Sequence, residues 1–270
     1  MVEMIKKYKI GKRRFGVVNW VGAWTLYKKE VLRFLNVWIQ TIFSPLVTSL
    51  LFLMVLSLAI GTERGEVLGV PFIKFLAPGL IAMQVIQQSF SHSSSSFMIG
   101  KIQGNIVDLL YAPLSATEVT ISVSLASVTR SFMIAAISII TFYLIVDIEI
   151  KHFLVLCFFT FLSSFILGNI GIIAGLWAEK FDHMATVTNF IIIPLSFLSG
   201  TFYSIERLPD FLQTISELNP FFYMIDGFRY CFIGVADGSI KIGMIYLTIL
   251  SFLSWFATYI LFRNGYKIKS

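Results

Sequence analysis

Long apolar runs constrain this chain more than any other feature. Residues 37–60, 72–97, 119–146, 153–178, 184–203 and 240–262 each reach the length, about 20 residues, that a helix needs to cross a hydrocarbon core about 30 Å thick. Lipid offers the backbone no water, so a spanning segment must be a helix or a strand of a closed barrel. These runs far exceed the roughly ten-residue alternating strands of a barrel. The expected class is therefore all-α: a polytopic membrane protein with six transmembrane helices. Composition agrees, since 13% of the 270 residues are charged, against about 25% in an ordinary soluble domain. The second run is the least apolar, because its last third reads SFSHSSSSF.

Six crossings put both termini on one side. The N-terminal arm carries nine Lys/Arg up to Arg33, and Lys101, Lys180, Arg263, Lys267 and Lys269 bring that side to fourteen, against six on the other and Arg130 inside a span. Lys and Arg are retained on the cytoplasmic face, so both termini are expected there. The run 37–60 is too long for a signal-peptide core and lacks a small-residue cleavage site, so it is expected to stay as a span. The expected division is a basic arm with an interfacial helix over 1–36, a transmembrane domain over 37–265 and a cytoplasmic tail over 266–270. A basic arm beside a span reads as an orientation signal that meets anionic membrane lipid; no nucleic-acid partner is expected.

Two segments are amphipathic but do not span. NWVGAWTLYKKEVLRFLN places Trp20, Trp24, Tyr27, Val31 and Phe34 on one helical face, with Thr25, Lys28, Lys29 and Arg33 opposite and Asn19 as N-cap. This predicts an interfacial helix with aromatic rings at headgroup depth. GKIQGNIVDLLYAPLSATE, between the second and third spans, places Ile102, Ile106, Leu109 and Leu110 on one face and Gly104, Asn105 and Asp108 away from it, and Pro113 closes it. Too short to cross, it is either a surface loop or a helix docked in a protein groove.

After the fifth span, SIERLPDFLQTISELNP predicts a short helix with Leu208, Phe211, Leu212 and Ile215 on one face, ending at Asn219-Pro220. The next fifteen residues, FFYMIDGFRYCFIGV, are too few to cross and too apolar for water, which predicts a re-entrant or interfacial hairpin on the outer side. Asp226 and Arg229, three apart, share a helical face and are positioned to pair, either as a gate or as an interfacial salt bridge without a gating role. Arg130, alone within the third span, must face protein or snorkel toward Asp108 or headgroups. A tie to Asn, Ser or a carbonyl is the structural reading, and contact with a transported molecule the functional one. Gly168, Gly171 and Gly175 permit close helix approach in the fourth span. Ser89 to Ser96 can bond back to their own helix.

The amphipathic N-terminal helix, the Ser-rich second span running into FMIGKIQGNIVDLLYAPLSATE, and LSGTFYSIERLPDFLQTISELNPFFYMIDGFRY together resemble the membrane (permease) subunit of a type-2 ABC exporter. The resemblance is to the group that handles nodulation factors, capsule and O-antigen polysaccharides, and it covers roughly Trp20 to Tyr266. It implies a bacterial-type inner-membrane protein that works as a homodimer or with a paralogous permease. It also implies a separate cognate ATPase subunit that carries ATP and Mg. On this resemblance the segment between spans two and three is the coupling helix, with Lys101, Gln103, Gly104, Asn105, Asp108 and Leu109 facing that subunit. Asn219, Pro220, Asp226 and Arg229 would belong to a gate at the outer mouth.

No catalytic residues, metal site or bound cofactor are expected in this chain. Gly11-Lys12 and Gly100-Lys101 lack the upstream glycine and following hydroxyl residue of a phosphate-binding loop. His92, His152 and His183 lie far apart, and Cys157 and Cys231 read as packing residues. A self-contained secondary carrier or channel is the competing function. It would need ionisable coupling groups within the membrane, and the sequence offers Arg130 and no acid deep in a span.

Overall fold

Asn19 caps the first helix as expected: its side-chain oxygen accepts from the Gly22 backbone N at 2.9 Å. Helix α1 follows over Trp20–Leu35. The computed structural model describes Gly16 and residues 18–267, apart from the side chains of residues 60–64. Expectations resting on the arm before Gly16, on the Arg64 side chain and on Lys269 lie outside the described residues.

The face of α1 that packs is only partly the aromatic one. Leu26, Glu30 and Phe34 are buried and Tyr27 and Val31 half-buried, while Trp20 and Trp24 are exposed. Glu30 explains the rotation: its carboxylate accepts from Ser96 Oγ of the bundle at 2.8 Å, and from Arg33 Nε of α1 itself at 3.0 Å. The indole rings, apolar bodies with a polar tip, are the residues best suited to the outward face at a membrane interface.

Helix α2, Ser44–Arg64, continues from a π-helical turn at Ile39–Phe43. A two-residue hairpin pairs β1, Glu66–Val67, with β2, Val70–Pro71. Helix α3, Phe72–Ile102, α4, Ile106–Tyr111, α5, Ala116–Val146, and α6, Phe153–Trp177, come next. The fifth apolar run folds as α7, Phe181–Val187, a π turn at Thr188–Ile192, and α8, Ile193–Leu198. Then follow α9, Asp210–Leu218, α10, Pro220–Ile233, and α11, Ile240–Arg263. The class is all-α as expected.

Five stretches, at 39–59, α5, α6, 181–198 and α11, are long and apolar enough to cross a membrane among the described residues. Helix α3 is long enough at 31 residues, and the serines and glutamines of its second half keep it out of that group. It continues five residues past the expected end at Phe97. Helix α5 begins at Ala116, three residues before the expected Val119, because Ser115 and Glu118 form a reciprocal capping box with Ser115 N to Glu118 Oε2 at 2.6 Å and Glu118 N to Ser115 Oγ at 3.3 Å.

Helix α3 is the hub and packs most extensively on α6. Glycines allow the approach: a methyl group at Gly171 would sit 2.6 Å from the Phe90 carbonyl oxygen, and one at Gly175 2.8 Å from that of Ser94. The serines of α3 do bond to their own helix, as Ser89 Oγ does to Val85 O at 2.6 Å. Ser96 instead reaches Glu30.

One end of the bundle carries α1, α4 and the last turn of α11. The opposite end carries the β-hairpin, the 147–152 loop and the 199–209 and 234–239 connections. Helices α9 and α10 form a hairpin that dips in from this far end. At its turn Asn219 Nδ2 donates to Leu195 O at 3.1 Å, a turn inside α8, and to Ser199 Oγ at 2.8 Å. At its exit Lys151 donates to the carbonyl of Ile233. Neither helix is long enough to cross.

Candidate functional site

At the end that carries α1 and the last turn of α11, α3 stops and Gly104, with φ of +77°, turns the chain into the six-residue α4. Ile106 is 7% exposed and pins α4 to the bundle beside Leu26, with Leu109 half-buried next to it. The expected apolar face is only partly the packed one. Ile102 and Leu110 are exposed, and so are Val107 and Tyr111, the last at 85%. With only two turns, α4 can pin one row of side chains, and the rest of its apolar surface faces outward.

The polar residues assigned to this helix divide in two groups. Gln103, Gly104, Asn105 and Asp108 are exposed, with Asn105 Nδ2 donating to Gln103 Oε1 at 3.1 Å. Lys101 turns inward: its Nζ donates to the carbonyls of Leu176 at 2.8 Å and Ala178 at 2.7 Å, satisfying orphan acceptors at the C-terminus of α6. It ties two spans together where the sequence reading has it face a partner. Nearby, Lys267 Nζ bonds Glu179 Oε1 at 3.0 Å, and that hydrogen bond holds the exposed Glu179 carboxyl below its ordinary range.

Glu118 joins the pieces of this platform. While Oε2 closes the α5 capping box, Oε1 accepts from Asn19 N at 2.6 Å, and Asn19 Nδ2 donates to Pro113 O at 3.1 Å. Ser122 Oγ to Ala23 O at 3.0 Å and Tyr27 OH with Thr129 Oγ1 at 2.7 Å continue the seam, so α1 packs lengthwise on α5. A groove of about 360 Å³ between α1 and α4 is lined by Gly22, Leu26, Asp108, Leu109 and Pro113.

Arg130 faces protein. Its Nη2 donates to Gln88 Oε1, an amide partner where the sequence reading names Asn, Ser, a carbonyl or Asp108. It lines a cavity of about 750 Å³ bounded by α1, the start of α2, α3 and α5. Arg33, Gln84, Gln87 and Gln88 share that cavity. Its signal in the sequence is the row Gln84, Gln88, Ser91, Ser95 on one face of α3, which is easily read as mere dilution of an apolar span.

In the far-end hairpin the expected Asp226–Arg229 pair is not formed. Asp226 accepts from the backbone N of Asp237 and of Gly238, both at 2.9 Å. Arg229 Nη1 lies 3.7 Å from Asp237 Oδ2, its Nη2 donates to the carbonyl of Gly200, and its guanidinium sits 3.9 Å from the centre of the Phe75 ring. The cause is the turn at Gly234, φ of +86°, which folds the chain back so that Asp237 covers α10. Asp237, which also accepts from Ser204 Oγ at 2.5 Å, is absent from the sequence reading. Asn219 and Pro220 hold the turn of this hairpin: Asn219 Oδ1 accepts from Phe221 N at 3.1 Å and Pro220 begins α10. Among the described residues no His/Cys/Asp/Glu group could hold a metal ion.

The family model of the ABC-2 type transporter matches residues 22–233. Inner membrane transport permease YadH of Escherichia coli (strain K12) is 33% identical over 218 residues, which cover 81% of this chain and 85% of that protein. Nodulation protein J of Neorhizobium galegae is 25% identical over 256 residues, covering 92% and 94% respectively. Nodulation protein J of Rhizobium leguminosarum bv. viciae is 24% identical over 244 residues, covering 87% and 91%.

Proposed function

The chain belongs to the ABC-2 type transporter family, and from that premise we propose that it is the membrane subunit of an ATP-driven exporter, in which two copies enclose the pathway and separate ATPase subunits dock on α4. Membrane components of this family normally work with an ATPase subunit. The observation that carries the docking site is α4 itself. Ile106 anchors it, while Val107, Leu110 and Tyr111 point away from the bundle and leave an apolar surface on a short, rigidly pinned helix.

The bias of Lys and Arg toward the terminal end supports placing α4 and both termini in the cytoplasm. Likeness to a permease named for the inner membrane supports that location. Likeness to nodulation protein J, together with the resemblance to the polysaccharide-exporter group, supports a polysaccharide cargo, lipid-linked or not, with a lipid or a hydrophobic small molecule as the alternatives.

The buried acids do not supply the coupling group that the carrier reading needs. Acid side chains are buried after all, namely those of Glu30, Glu118, Asp226 and Asp237. Each is held by fixed donors, Glu30 by Arg33 and Ser96, Glu118 by the backbone N–H groups of Asn19 and Ser115, Asp226 by two backbone N–H groups, and Asp237 by Arg229 and Ser204. Such partners favour a static role over proton exchange. Co-expression with ATPase genes from the same locus tests the exporter reading: the purified chain should retain an ATP-binding subunit. Failure to retain one, together with uphill transport by the chain alone on an ion gradient, would make it a carrier.

A further inference from the structure

We propose that the cavity walled by Arg33 and Arg130 binds the phosphate-type oxyanion of an amphiphile; the exporter reading is needed only for taking that amphiphile as cargo.

The first ground is charge. Arg33 is already engaged: Nε meets Glu30 Oε2 at 3.0 Å, Nη1 meets Ser95 Oγ at 3.3 Å and Nη2 meets His92 O at 2.9 Å. Arg130 is not. It is 6% exposed, its only hydrogen bond goes to neutral Gln88, its Nε has no partner, and no carboxylate lies within 4.0 Å of it among the described residues. Two guanidinium groups therefore line one cavity with a single acid, Glu30, set behind Arg33. A buried cation without a counter-ion is costly, and a planar fork with free N–H groups is the group that best holds phosphate in two-point contact.

The second ground is the lining. The amide nitrogen of Gln87 is also buried without a partner. Gln84, Gln87, Gln88, Ser91 and Ser95 lie along one side of α3, and Gln103, at its C-cap, continues the row. At 1.5 Å per residue the row extends about 28 Å, from the terminal end toward the middle of the helix. An apolar cavity would need none of these groups. A polar one filled only by water would not need a cation without an anion.

The probe is dioleoyl phosphatidic acid titrated into the purified chain in phosphatidylcholine nanodiscs, with inorganic phosphate as competitor. ATPase capture is measured on the same preparations. Saturable binding of phosphatidic acid is expected. Arg130→Gln should weaken it about tenfold or more, the cost of one charge-assisted contact. Gln87→Glu, which supplies a counter-charge inside the cavity, should weaken it likewise, and Arg130→Lys should retain part of it. Arg263→Gln, outside the cavity, should bind as the parent does. Competition by inorganic phosphate would assign recognition to the oxyanion alone; its absence would assign part of it to the acyl tail, and both keep the site. The site is refuted if the parent shows no saturable binding, or if Gln87→Glu binds as the parent does. Gln87→Glu decides alone where Arg130→Gln does not fold. Lost anion binding in every protein with ATPase capture intact sinks this site and spares the exporter reading; the reverse result sinks that reading and spares the site.

Discussion

Arg229 and Asp237 face each other 3.7 Å apart, both buried, and Asp226, three residues from Arg229 on the same helix, is held by the backbone of Asp237 and Gly238 instead. The pair closes the 234–239 turn over α10 and fastens it to the carbonyl at Gly200. The far-end hairpin is thus locked by a residue beyond its own helix.

Removing one partner of a buried pair strands the other charge. Asp237→Ala should destabilise the protein by about 3–5 kcal/mol. In double-mutant cycles Arg229 should couple more strongly to Asp237 than to Asp226. Thermal unfolding in detergent reads both, and equal coupling to the two acids would reinstate the intrahelical pair.

On α4, anchor and docking face should separate. Ile106→Ala removes a buried side chain and should cost about 2–4 kcal/mol. Tyr111→Ala alters an exposed one and should leave unfolding within about 0.5 kcal/mol. Tyr111→Ala and Asp108→Asn should instead lower capture of the ATPase and substrate-stimulated hydrolysis. If hydrolysis and capture are unchanged in both, α4 is not the docking helix.

Gly171→Ala forces a methyl group to 2.6 Å from a backbone oxygen of α3, and a loss of about 1–3 kcal/mol or more is expected. Gly100→Ala is the control, because its added carbon would lie 3.8 Å from Ile106 Cβ and only helix propensity changes. It should be neutral or stabilising by about 0.5–1 kcal/mol. The ranking of the two midpoints checks the α3–α6 contact.

Glu118→Ala should release two attachments together: the Ser115 N half of the α5 capping box and the bond to Asn19 N that ties the start of α1 to α5. A loss of about 1–2 kcal/mol is expected. Hydrogen exchange should rise first at Gly22 and Ala23. Protection unchanged there would mean that α1 is held by its apolar contacts alone.

Local pattern was enough for much of this protein. Runs of twenty apolar residues require helices wherever lipid replaces water, the asymmetry of Lys and Arg distinguishes the two ends, and Asn19 marks a helix start by a rule that acts within a few residues. The S-A-T-E capping box at Ser115 was equally legible and shifts the start of α5 by three residues. What the tertiary structure decided were the partners across long separations. Lys101 reaches the end of α6, Glu30 turns inward to Ser96, Arg229 finds Asp237 across a turn, and Arg130 stays without a counter-ion among the described residues, in a cavity made by four elements. Helical periodicity says which residues share a face, but in a bundle whose helices are apolar on every side the hydrophobic pattern carries no rotational signal. Buried charges and glycine contacts set the rotation instead, and these exist only once the helices have met.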